Sequence, residues 1–200
     1  LSPVYNGSVE AVALSDVFGE VMFYLLPFIK PANVRRFYPD VVIESYTDAV
    51  RCAVENMEVN PAARNVLITH QFVTGGVRSD SEDITVGGTD NVDAAVFDIF
   101  DYVALGQLHG AQKIGRETLR YSGTPLKYSF SERNQEKSVT VVELGAKGSV
   151  SISTLPLTPR RDLREIRGTY AELTLRDNYA GSNTEDYIHA ILTDENDIPN

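Results

Sequence analysis

The sequence predicts an α/β fold, on three observations. A stretch with helical periodicity, Glu44–Val59, is followed within a few residues by a short apolar strand, Asn65–Thr69. That strand and a second one, Tyr102–Leu105, each lead into a histidine near their C-terminal ends, His70 and His109. Further along, Ser138–Leu144 and Val150–Leu155 read as a strand pair joined by the Gly145-Ala146-Lys147-Gly148 turn.

Taken in order, Val9–Leu14 and Val21–Leu26 read as the two arms of a hairpin. Asp16 and Gly19 supply a turn of four or five residues. Pro27 and Pro31 interrupt the sheet, and Phe28–Tyr38 reads as mixed, with a short helix. In Glu44–Val59 the residues Tyr46, Ala49, Val50, Ala53, Val54 and Met57 recur at three and four, forming one apolar face that Asn60-Pro61 closes. Gln71–Asn91 is a long, polar, glycine-rich stretch, a length at which loops often carry function. Asp93–Phe100 reads as a short helix capped by Asn91. Thr118–Ser122 is a strand closed by Gly123-Thr124-Pro125. Pro156 and Pro159 mark a boundary, Arg160–Arg167 alternates, and Tyr187–Leu192 is one more alternating run.

Composition limits the function classes. The chain has 200 residues, 42% of them hydrophobic, enough for a sizeable core. No apolar run approaches the ~18 residues of a membrane span, so no membrane association is expected. No leader is read at Leu1, and the opening and the acidic tail suggest a piece of a longer chain. The single cysteine, Cys52, lies on the apolar helical face and reads as a core thiol, in keeping with a reducing, cytoplasmic compartment. The net charge of −10 argues against generic nucleic-acid binding. Residues 113–167 nonetheless carry a local excess of five positive charges, against −15 over the remainder. Within that segment Lys113, Arg116 and Lys127 are candidates for phosphate contacts. Tyr121, Tyr128 and Phe130 suit either core packing or base stacking.

The candidate site follows from the two strand ends. In Asp101–Gln112 (DYVALGQLHGAQ) an apolar run reaches Gly106, which permits a turn, and the polar tip Gln107-Leu108-His109-Gly110 follows. Two strands that each deliver an imidazole to one edge of a sheet suggest a metal or phosphate site. His189, in the last alternating run, reads as structural.

Three stretches carry a resemblance: VLITHQF, SDSEDITVGGTDNVDAAVFDIFDYVALGQLHGAQ and RYSGTPLKYSFSE. Together they resemble the SbcD family, nuclease subunits within the calcineurin-like metallophosphoesterases. The resemblance implies the C-terminal half of a metallophosphoesterase-type α/β/β/α sandwich over residues 1–158. The start of a small cap domain would occupy residues 159–200. It implies a two-metal DNA phosphodiesterase, an exonuclease or endonuclease using two Mn²⁺ or Mg²⁺, with the cations ~3.5–4 Å apart. It implies a homodimer partnered by an SbcC-type, SMC-like ATPase and acting on DNA. His70 matches the position that binds one metal, and His109 the second histidine of the family's Gly-His-x-His, which binds the other. Gln107 stands where the family has the first of those histidines. An amide oxygen can ligate such cations, though more weakly than imidazole. The family's Asp-x-His, Gly-Asp-x-x-Asp and Gly-Asn-His-Asp/Glu motifs do not occur in these residues. The resemblance therefore implies metal ligands in this chain but no catalytic acid. It further implies that the chain alone binds no metal, is inactive, and leaves apolar strand faces open. Two other readings stay open: a non-catalytic, partner-binding fragment, and a small-molecule phosphoesterase on the same fold.

Overall fold

The computed structural model describes residues 4–82 and 90–195. The centre of the glycine-rich stretch, with Gly87-Gly88, and the tip of the acidic tail lie outside them. Strands β1 (Ala11–Asp16) and β2 (Gly19–Leu26) form the expected hairpin, with Asp16 opposite Gly19. Its loop is tighter than the sequence suggested. The Asp16 carboxylate accepts the Phe18 N–H at 2.8 Å, and Gly19 takes φ 102, so the strands pair right up to Val17-Phe18.

Helix α1 (Pro31–Arg35) opens on a proline in its first turn. Helix α2 (Tyr46–Glu55) starts at Ser45, whose side chain shares a reciprocal capping box with Asp48. It buries Ala49, Val50, Cys52, Ala53 and Val54, so Cys52 is the core thiol expected of it. The helix is shorter than its apolar periodicity. The Asn56 side-chain amide donates to Cys52 O at 2.8 Å and ends the helix ahead of Pro61.

Strand β3 (Arg64–His70) includes its histidine as the last residue. Short strands β4 (Phe72–Val73) and β5 (Asn91–Val92) pair in parallel at the two ends of the glycine-rich stretch. The helix expected over Asp93–Phe100 is a 3-10 turn, Ala94–Phe97, capped by Asp93 and not by Asn91. Asn91 is itself in β5, and the Asp93 carboxylate accepts the Ala95 N–H at 3.0 Å.

Strand β6 (Tyr102–Gly106) lies parallel beside β3, with Val66 opposite Tyr102 and His70 opposite Gly106. Strand β7 (Gln112–Ile114) is too short and polar to show in the sequence, and it pairs antiparallel with β8 (Arg116–Tyr121). The result is one sheet of order β1-β2-β3-β6-β8-β7, parallel in its centre from β2 to β8.

Alternation along the central strands gives the sheet two different faces. Leu26, Leu67, Val103, Leu105, Leu119 and Tyr121 point to the helical side and join the main core with Val34 and the buried residues of α2. Val21, Val66 and Tyr102 point the other way. There they meet strands β9 (Ser138–Leu144) and β10 (Val150–Pro156) through Val142, Leu144, Val150 and Ile152. The hairpin is therefore a separate two-stranded sheet packed across the large one, not an extension of it. Arg64 ties the layers together. Its buried guanidinium reaches Asp16 at 2.6 and 2.9 Å, Gly19 O at 2.6 Å and Gly145 O at 3.1 Å.

The hairpin covers only part of that face. In line with the expectation of open strand faces, Ile68 in central β3 is 43% exposed, beside Val12 at 50% and Leu14 at 57% on β1. Beyond Pro159, strand β11 (Leu163–Gly168), helices α3 (Tyr170–Thr174) and α4 (Arg176–Tyr179), and strand β12 (Tyr187–Leu192) form a small parallel β-α-β unit. No described helix is long and apolar enough to cross a membrane.

Candidate metal centre at the strand ends

The parallel strands β2, β3, β6 and β8 all finish at one edge of the sheet. A cleft of about 370 Å³ lies there, lined by Pro27, Ile68, His70, Ala104, Gly106 and Ser122 among others. Such an edge is where parallel sheets place their ligands. His70 is exposed at this edge, with the Phe28 ring edge-on at 6.5 Å. Its neighbours Thr69 and Gln71 each keep a buried side-chain oxygen that no described group satisfies.

Gly106 does not make the turn expected of it. Its φ is not positive; the residue at positive φ is Gln107, at 109°. A non-glycine held there costs ~1–3 kcal/mol, a strain that clusters at functional sites. Gly106 is needed for a different reason. A Cβ at that position would sit 2.6 Å from His70 Nδ1, so glycine is what lets the imidazole lie across β6.

His109 is fixed at almost every polar atom. Its N–H donates to Glu82, and its carbonyl accepts from Thr124 N–H and Lys137 Nζ, each at 3.0 Å. Its Nδ1 lies 2.9 Å from Glu132 Oε1 and 3.0 Å from Ser81 Oγ. Tyr128 packs against the ring at 5.4 Å. Among the described residues only Nε2 has no partner.

Glu132 is fully buried, an unusual place for a carboxylate. Lys137 donates to its Oε2 at 2.7 Å and Ser81 to its Oε1 at 2.6 Å. Burial pushes the carboxyl up, but the hydrogen bonds from Lys137, Ser81 and His109 outweigh it and bring it down to about 2. Lys137 is buried too and also donates to Thr124 Oγ1 and Gln135 Oε1. None of Ser81, Glu82, Glu132 and Lys137 stood out as a site residue in the sequence. The available signal was the final glutamate of the SFSE stretch, because a carboxylate in a polar loop defaults to the surface.

The basic candidates are placed apart. Lys113 on β7 is exposed and paired with Glu117. Arg116 opens β8 at the sheet edge opposite the histidines, and its guanidinium donates to Phe97 O at 2.9 Å and Phe100 O at 3.2 Å. Lys127 binds Asp162 at 2.8 Å and Arg133 O at 2.8 Å, joining the body to β11. Tyr121 is a core residue, its hydroxyl donating to Gln71 O at 2.7 Å and accepting from Val73 N–H at 2.9 Å. His189, on β12, packs against Phe130 with ring centres 5.2 Å apart and the planes tilted by 45°.

The donors that follow the strand ends are two imidazoles, a type common to Zn, Cu, Fe and Ni sites, and one amide oxygen, a type common to Mg²⁺ and Mn²⁺ sites. Among the described residues no three His, Cys, Asp or Glu side chains come close enough together to hold a metal ion.

No family model matches the chain. Among curated proteins it is similar to the SbcD component of the nuclease SbcCD from Staphylococcus epidermidis, at 35% identity over 181 residues. The match takes in 89% of this chain and 48% of that relative. The chain thus spans about half the length of the curated relative it matches, and over that span it is an SbcD-like sequence.

Proposed function

We propose that this chain contributes the His70 and His109 side of a two-metal DNA phosphodiesterase site. In this reading it is the C-terminal part of a nuclease domain of the α/β/β/α type, residues 1–158, with a cap domain starting at residue 159. The observation that carries the reading is that two adjacent parallel strands finish at one edge, β3 on His70 and β6 three residues short of His109, whose Nε2 has no partner among the described residues. The likeness to a relative named as part of a nuclease supports it.

Two bound Mn²⁺ or Mg²⁺ would supply an activated water and charge neutralisation at the phosphate. His70 and His109 would hold the cations from two rigid strand ends, and Gln107 would offer an amide oxygen between them. The chain carries no candidate for the acid that protonates the leaving oxygen, so alone it does not turn over. Lys113 is the basic candidate that remains at the surface for a DNA phosphate; Arg116 and Lys127 are engaged within the protein. The complete protein would work in the cytoplasm as a dimer with an SbcC-type ATPase, repairing DNA.

The test is Mn²⁺-titrated cleavage of double-stranded DNA ends by this chain and by a longer protein that includes the other half of the relative's length. We expect no cleavage by the chain and Mn²⁺-dependent cleavage by the longer protein. His109→Ala should abolish activity, and Gln107→His should hold or raise it at limiting metal. Cleavage by the 200-residue chain alone, or a silent His109→Ala, would refute the assignment.

A further inference from the structure

We propose that Glu132 is the positioning residue of this site: anchored by Lys137, its carboxylate holds the His109 imidazole as the Nδ1–H tautomer and turns Nε2 outward as the ligating atom.

For a neutral His109 ring the geometry leaves one consistent assignment of protons. Lys137 Nζ sits 2.7 Å from Glu132 Oε2, so the carboxylate is ionised and can only accept. Its other oxygen, Oε1, lies 2.9 Å from His109 Nδ1. A bare Nδ1 there would set a lone pair against a carboxylate oxygen, which is repulsive, so Nδ1 carries the proton. Ser81 Oγ, 2.6 Å from the same oxygen, donates its own proton to it and lies beside the ring at 3.0 Å. Oε1 thus receives two hydrogen bonds, and the lone pair of the ring is left on Nε2.

The backbone is held along with the ring. Lys137 donates to His109 O at 3.0 Å as well as to Glu132, so one buried ammonium sets both the carboxylate and the main chain of the residue it orients. Glu82 takes the His109 N–H, and Tyr128 closes one side of the ring at 5.4 Å. Metal-binding imidazoles are commonly fixed in this way by an acceptor on the other ring nitrogen, and losing it typically weakens the metal ~10–100-fold.

The last step rests on reading His109 as a ligand; the tautomer does not. The experiment is therefore long-range ¹H–¹⁵N correlation on metal-free protein labelled at histidine, at a pH where imidazoles are neutral. The chain has three histidines, and His109→Asn assigns the relevant signals by their loss. We expect a pyrrole-type Nδ1 and a pyridine-type Nε2 for His109. Glu132→Leu combined with Lys137→Met removes the buried pair together, so neither charge is stranded. There His109 should revert toward the Nε2–H form that free histidine favours. Ser81→Ala, which keeps the carboxylate, should leave the wild-type tautomer in place.

An Nε2–H form in the wild type overturns the proposal, whether or not the double variant folds. So does an Nδ1–H form that persists in a folded double variant. Mn²⁺ added to the longer protein that includes the other half of the relative's length then tests the ligand reading separately, by paramagnetic broadening of the His109 ring signals. Broadening that needs ~10–100-fold more Mn²⁺ in the double variant supports both statements. An Nδ1–H ring that Mn²⁺ leaves untouched supports the positioning role and refutes the metal reading alone.

Discussion

Gly106→Ala should separate metal binding from stability. The backbone permits the change, since Gly106 is not among the residues at positive φ. The new Cβ would lie 2.6 Å from His70 Nδ1, 3.4 Å from Cε1 and 3.5 Å from Cγ, so the clash is with one ring nitrogen. Restoring ordinary contact at ~3.4 Å moves that nitrogen by about 0.8 Å. His70 is exposed, so its ring can swing away without disturbing the core. Gly106 is the last residue of β6, so alanine there recovers at most part of the ~0.5–1 kcal/mol that glycine costs inside a strand. Net stability should therefore stay within about 1 kcal/mol, a shift of ~2–4 °C in Tm for a domain of this size. A metal tolerates only ~0.2 Å of error in its ligand distances, so a ring displaced by several times that cannot bind as before. The Mn²⁺ midpoint of DNA cleavage by the longer protein should rise ~10–100-fold, while its thermal midpoint barely moves. An unchanged Mn²⁺ midpoint for Gly106→Ala, alongside a raised one for His70→Ala, would refute the claim that glycine makes room for a ligating imidazole.

Other expectations follow from the same contacts. Tyr121→Phe strands the buried Val73 N–H and the Gln71 carbonyl, and should cost about 2 kcal/mol, or ~4–8 °C in Tm; a loss below ~0.5 kcal/mol by urea denaturation would contradict those two hydrogen bonds. The Glu132 carboxyl is lowered from 4.5 to about 2 on folding, so its stabilisation is present above pH 4.5 and is lost as pH falls from 4.5 toward 2. Acid unfolding of Glu132→Leu/Lys137→Met should accordingly show a shallower loss across that window than the wild type. Lys127→Met removes the tether to Asp162, at a global cost of ~1 kcal/mol or less. Hydrogen exchange should nonetheless speed up in β11 and β12 and not in β3 or β6; uniform protection would show that the ion pair does not hold that unit.

How much of this was legible in the sequence depends on the range of the interactions involved. Period and turn chemistry are local, so the α/β class, α2, both hairpins, β6 and β12 could be read from residue spacing. The two histidines at strand ends were legible for the same reason, because an apolar run that stops at a polar residue shows where a strand meets the edge. Pairing is not local. That β3 and β6 are neighbours with His70 against Gly106 follows from the sheet order, and only this register explains why position 106 must be glycine. The Asp93–Phe100 segment is a 3-10 turn because its backbone N–H groups close on carbonyls three residues back, Asp98 on Ala95 O and Phe100 on Phe97 O, a tightening that residue spacing does not show. Arg116 read as a surface cation; folding brought it to two open carbonyls, Phe97 O and Phe100 O, that local sequence does not reveal. The same holds for Glu132 and Lys137. Each alone would be a surface charge, and burial became tolerable only once folding set the two against each other and against His109. Sequence alone determined that His70 and His109 stand at or just past the ends of β3 and β6, since strand ends are written in local pattern. The tertiary structure alone decided how those imidazoles are held, since buried charges are stable only beside partners far apart in the chain.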